Sequence, residues 1–181
     1  MIAPTRATIE DLYCVEGNAE LVNGEIVLMT PVGDEPASGG LRLASSLLNY
    51  ADRTGRGRAY TDGVGFRVNL PNRESFSPDA SYYTGPRTGM KFLNGAPDFA
   101  VEVRSENDYG DRADRAITAK IADYFAAGTQ VVWDVDLRGV DVVKKYTPAT
   151  IEAPTIFRRG ETAEAETAVP GWTFPVSDLF R

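Results

Sequence analysis

Three residues of this 181-residue chain have the type and setting for chemistry: Asp79 in Ser-Pro-Asp, Glu102 in Val-Glu-Val, and Lys120 in the stretch that follows. The chain has no histidine and a single cysteine, Cys14. That composition excludes an imidazole base, a serine–histidine pair and a zinc cage. What remains is carboxylate chemistry, with oxygen ligands for a hard cation and a lysine to stabilise developing charge.

These residues act together only if the fold brings them together. Around DFAVEVR, Asp98, Ala100, Glu102 and Arg104 share one face of a strand, and Phe99, Val101 and Val103 share the other. Asp98 and Glu102 then lie roughly 13 Å apart along the strand, too far to chelate one ion together. Glu102 needs a partner from another strand, and Asp79 meets that need if the two strands lie side by side. Asp98 reads as the residue that starts its strand. In the helix expected over 112–127, Ile117, Ile121, Tyr124 and Phe125 fall within about 100° of one another and form the buried stripe. Lys120 lies on its flank, about 60° from Ile117, where the stem can be buried with the ammonium aimed along the sheet. Asp114 falls within the stripe, where an acid needs a cation or hydrogen bonds.

The remaining pattern is that of an α/β protein. TIEDLYCV (8–15) reads as a short helix opened by Thr8, with Asp11 as capping partner. ELVNGEIVLM (20–29) reads as a β-hairpin about Asn23-Gly24. PVGDEPASGG (31–40) reads as a polar loop, and Leu41, Ala44, Leu47, Leu48 and Ala51 predict an amphipathic helix over 40–52. Strands are expected over 58–70 (broken at Asp62-Gly63), 79–84, 98–103, 130–135 and 140–146. Gly128 stops the helix between the last three. Trp172, Phe174, Leu179 and Phe180 predict a docked tail. The expected architecture is a sheet with helices packed on it, in one domain spanning 1–181. Gly55-Arg56-Gly57 has neither Rossmann nor P-loop spacing, so no nucleotide cofactor is expected.

Composition narrows the partners. The formal charge is −7, against the basic surface usual in proteins that grip long nucleic acids. Arg53, Arg56, Arg58 and Arg67 are the best local basic patch, or only a solvated loop. No apolar run approaches the roughly 20 residues that span a bilayer, so no membrane partner is expected. The first residues lack a signal-peptide pattern and Cys14 has no disulfide partner, which makes a cytoplasmic location the default expectation.

The chain resembles the Uma2 family, a DUF820-like branch of the PD-(D/E)xK restriction-endonuclease-like superfamily. The residues that carry the resemblance are ELVNGEIVLMTP, SPDASYY, GAPDFAVEVRS, the K-x3-Y-x3-G of Lys120, Tyr124 and Gly128, VVWDVD, and PGW…LF. It implies a restriction-endonuclease-like core, a central mixed β-sheet flanked by helices with an N-terminal helix and β-hairpin extension. It implies Asp79 and Glu102 as metal ligands. In the parent motif the lysine stands two residues after the glutamate, where this chain has Arg104. The family pattern moves it to the next helix, so the catalytic lysine role passes to Lys120. Glu20 matches the glutamate before the family's hairpin and joins the site. The family often has a histidine in the following loop, where this chain has DEPASGG.

The implied activity is metal-dependent hydrolysis of DNA phosphodiesters. Asp79, Glu102 and the backbone carbonyl of Val103 would hold Mg²⁺ or Mn²⁺, which suit oxygen ligands. Lys120 would orient or deprotonate water or stabilise the transition state, and Arg104 would hold a neighbouring phosphate. A homodimer is the implied assembly. Plainer roles stand beside these: Asp79 as a turn residue, Glu102 in a salt bridge to Arg104 or Lys120, Lys120 on the surface, Glu20 as a hairpin acid, and Cys14 as a small buried side chain. Two further functions stay open, a non-catalytic nuclease-fold binding or oligomerisation module and a hydrolase of small phosphoesters.

Overall fold

The computed structural model describes residues 6–181; the reading of the first residues as no signal peptide falls partly on 1–5, outside the described residues. In chain order the elements are α1 (Ile9–Leu12), β1 (Ala19–Val22), β2 (Glu25–Leu28), α2 (Asp34–Thr54), β3 (Arg58–Thr61), β4 (Phe66–Leu70), β5 (Arg73–Phe76), β6 (Ala80–Tyr83), β7 (Leu93–Asn94) and β8 (Phe99–Val103). There follow α3 (Asp111–Ala126), β9 (Val131–Val135), β10 (Val143–Tyr146), β11 (Thr155–Phe157), β12 (Thr162–Glu164), β13 (Thr173–Pro175) and a 3₁₀ turn at Val176–Phe180.

Local chemistry explains most of these bounds. Thr8 and Asp11 cap α1 reciprocally, each side chain bonding the other's backbone N–H. Asn23 and Gly24 both take positive φ, 54° and 74°, as the tight turn between β1 and β2 requires. α2 starts at Asp34, inside the stretch expected to be a loop. Pro36 falls in its first turn, where the ring removes no helical hydrogen bond, and Asp34 and Glu35 favour the positive end of the dipole. β5 has no counterpart among the expected strands, and its first two residues, Arg73 and Glu74, are charged. Its Ser75 hydroxyl accepts the Leu21 N–H at 2.8 Å and so stands in for a ladder carbonyl.

Two sheets result. One has six strands in the order β11-β10-β9-β8-β6-β3; the other has five, β2-β1-β5-β4-β7. Both are mixed: β8 and β9 run parallel, as do β4 and β7, and the remaining pairs are antiparallel. The parallel pair needs a crossover, and α3 supplies it. α2 and the C-terminal segment cover one face of the six-stranded sheet, packing Leu43, Leu47, Trp172 and Phe174 on Phe99, Val101 and Trp133. The other face meets α3 and the five-stranded sheet through Tyr124, Ile121, Phe66, Phe76 and Val132. The tail docks as expected, with Trp172, Phe174 and Leu179 buried. Cys14 is exposed, contrary to expectation, because α1 turns only Ile9 and Leu12 inward. Among the described residues no helix is long and apolar enough to cross a membrane.

Candidate functional site

Strand alternation builds the site. In β8, Phe99, Val101 and Val103 enter the α2-side core, while Ala100 and Glu102 face α3. β6 lies antiparallel beside β8, with Ala80 opposite Val101, so Asp79 comes to Glu102 one residue further on. The Asp79 N–H donates to the Val101 carbonyl (3.1 Å), and the Val103 N–H donates to Asp79 Oδ2 (2.6 Å). Because a residue in an antiparallel strand sends N–H and C=O to the same edge, the Val103 carbonyl shares that edge with Asp79.

Lys120 reaches the pair from α3. Its Nζ lies 2.8 Å from Glu102 Oε2 and 2.9 Å from Glu20 Oε1. The Tyr124 hydroxyl, one turn further along α3, donates to Glu102 Oε1 at 2.6 Å while its ring stacks on Phe76. Glu20 is buried on β1 and is held three ways: by Lys120, by Arg73 (2.6 Å), and by the Ser77 N–H (2.9 Å). Arg73 in turn bonds Asp123 of α3 at 2.9 Å. The structure thus brings together Asp79, Glu102, Val103, Lys120 and Glu20.

The charges are unevenly balanced. Burial pushes Glu20 up, but Lys120, Arg73 and the Ser77 N–H outweigh it and hold Glu20 below the usual carboxylate range. Glu102 ends above that range, raised by burial and by Glu20 against the pull of Lys120. Burial disfavours the charged Lys120, yet Glu102 and Glu20 prevail and keep it protonated well past neutrality. Asp79 makes no ion pair among the described residues. Burial, then the Glu102 charge, push it up to about 7.

Arg104 lines the cavity beside Glu102 and is engaged by other acids. It clasps Asp134 with two bonds of 2.8 Å and Asp114 with one of 2.7 Å, and it pairs with neither Glu102 nor a free space. Asp134 sits beside Glu102 in the parallel register, so the clasp neutralises an acid that would otherwise repel Glu102. Asp114, expected in the buried stripe, is exposed, because α3 at its first turn has not yet met the sheet. Asp98 accepts from the Thr84 N–H and hydroxyl and stays outside the site. Arg73, Ser77 and Asp123 had no place in the sequence pattern, and Tyr124 had one only as a buried-stripe and motif residue. Only Tyr124 carried a signal, its phase in the α3 stripe beside Lys120.

Asp79, Glu102, Val103 and Lys120 line a cavity of about 370 Å³. Leu28, Met29 and Val32, following the hairpin, form one wall, and Ala113, Ala116 and Ile117 of α3 form the other. Among the described residues no three His, Cys, Asp or Glu side chains converge as a ready cation cage. A cation would therefore rest on two carboxylates, one backbone carbonyl and water. That all-oxygen set would suit a hard cation such as Mg²⁺ or Mn²⁺.

The family model described as "Uma2: Putative restriction endonuclease" matches residues 9–177. No curated protein matches. Among solved structures, a "putative nuclease belonging to DUF820" from Anabaena variabilis ATCC 29413 is similar, with a TM-score of 0.75 over 96% of this chain and 97% of that one. At 18% identity this likeness speaks for the fold.

Proposed function

The chain belongs to the Uma2 family, and from that premise we propose that it is a divalent-metal-dependent nuclease hydrolysing DNA phosphodiester bonds. The observation that carries the proposal is Asp79, a carboxylate facing a cavity beside Glu102 with no ion pair among the described residues. A buried, uncompensated charge is costly, and a cation offsets that cost. In this reading Asp79, Glu102 and the Val103 carbonyl hold Mg²⁺ or Mn²⁺. When bound, the ion lowers the pKa of a water and offsets charge on the scissile phosphate.

The chain's own groups do the rest. Lys120 has three N–H donors and spends two on Glu102 and Glu20, leaving one for a phosphate oxygen. Its firm protonation assigns it charge stabilisation, not proton abstraction. Glu20 and Arg73 anchor Lys120, and Tyr124 fixes the rotation of Glu102. Arg104 is a positioning residue rather than a phosphate ligand. The homodimer implied by the resemblance belongs to the same proposal; light scattering checks it.

DNA incubated with Mg²⁺ or Mn²⁺ tests the activity. Wild-type protein should cut it, and Asp79→Asn or Glu102→Gln should slow cleavage about a hundredfold or more. Cleavage that survives in Asp79→Asn comes from another site or a contaminant. The charge of −7 favours a second reading, a non-catalytic module on the same fold. That reading holds if folded protein binds Mn²⁺ and cuts no DNA.

A further inference from the structure

We propose that the cavity takes one unpaired nucleotide, so that the bond hydrolysed is the phosphodiester of a single strand or of a free dinucleotide rather than of a duplex. The inference rests on the nuclease reading above. In the reaction a water oxygen bonds to phosphorus, the bond from phosphorus to the leaving sugar oxygen breaks, and that oxygen takes up a proton.

The lining cations argue first. Arg73, Arg104 and Lys120 are the cationic residues that line the cavity, and each is already paired with two carboxylates of the protein. Gripping a duplex takes several phosphate contacts from uncommitted Lys or Arg. Just outside, the exposed Arg112 makes no ion pair among the described residues. It sits about 40° from Ala116 on the α3 circumference, placed for one neighbouring phosphate.

The walls argue second. Beside the polar Thr30, Ser105 and Asp108 they carry an aliphatic part, made by Leu28, Met29 and Val32 after the hairpin and by Ala113, Ala116 and Ile117 of α3. Leu28 is 64% exposed, although the hairpin could have carried a polar residue there. Paired bases are stacked inside a duplex and offer such walls little, whereas an unpaired base has an apolar face to bury. The volume, about 370 Å³, matches a small-ligand site rather than a duplex groove.

Fluorescence anisotropy on metal-free Asp79→Asn protein tests the inference without turnover, using a short labelled strand, its duplex, and an unlabelled dinucleotide as competitor. The strand should bind about tenfold or more tighter than the duplex. Leu28→Glu and Ala116→Glu, both at exposed positions, should each weaken strand binding about tenfold with the melting temperature unchanged. The salt slope should correspond to one or two phosphate contacts, at about −0.7 each for a single strand. Displacement by the dinucleotide makes it a sufficient ligand; no displacement assigns the site to longer strands. Equal or tighter duplex binding, binding by none of the three, or unchanged affinity in both Glu variants would overturn the inference. Duplex-preferring cleavage lost in Asp79→Asn would overturn it and leave the nuclease proposal standing. Strand binding without Asp79-dependent cleavage would do the reverse.

Discussion

The two faces of the six-stranded sheet are built from the same strands and serve opposite ends. On the α2 side, Val101, Val103, Trp133 and Val135 meet Leu43, Leu47 and Trp172 in a dry apolar layer. On the α3 side, alternate residues of the same two strands, Glu102 and Asp134, carry charge into the interior. Asp134 is closed off by Arg104, while Glu102 shares its surroundings with Asp79, which accepts the Val103 N–H but makes no ion pair among the described residues. The period of two lets one strand hold the fold with one set of side chains and line the candidate site with the other.

The contrast predicts different failures on the two faces. Lys120→Met strands Glu20 and Glu102 without their shared cation and should cost about 3–5 kcal/mol in denaturant unfolding. The loss should shrink at low pH, where the two acids take up protons. A silent Lys120→Met would break the contrast. On the opposite face Leu47→Ala opens a cavity in the apolar layer and should cost about 2–5 kcal/mol at every pH. A pH-dependent cost there would show that the faces are coupled.

Asp79→Asn should act in the other direction and more weakly, stabilising the protein by about 1–3 kcal/mol at pH 8. The folded pKa of Asp79, about 7, lies above its ordinary value of 3.8. The proton that the fold retains therefore contributes stability fully present below about pH 4, lost as pH rises through 7. The Asn variant should match wild type near pH 4 and exceed it above pH 7. Equal stability at both ends would mean that Asp79 is well solvated.

What the sequence revealed of this arrangement follows from the range of each interaction. Glu102, Lys120 and Tyr124 are legible because strand alternation and helix phase are local, and family motifs carried Asp79 and Glu20. The Glu20–Arg73–Asp123 chain was hidden: its links join residues 53 and 50 positions apart, through a strand whose polar start resembles a loop. The Arg104–Asp134 clasp was hidden for the same reason, since the parallel register that places Asp134 there joins strands that α3 separates in sequence. The early start of α2 was masked by Pro36, Gly39 and Gly40, residues that ordinarily end helices but here occupy its first two turns.

In the proposed site Asp79 and Glu102 share one divalent cation. Calorimetric titration of Mn²⁺ at pH 8 into wild-type protein, Asp79→Asn and Glu102→Gln tests it most directly. One site in the wild type, absent or at least about tenfold weaker in both variants, is the predicted result. Binding of equal strength in all three would contradict it.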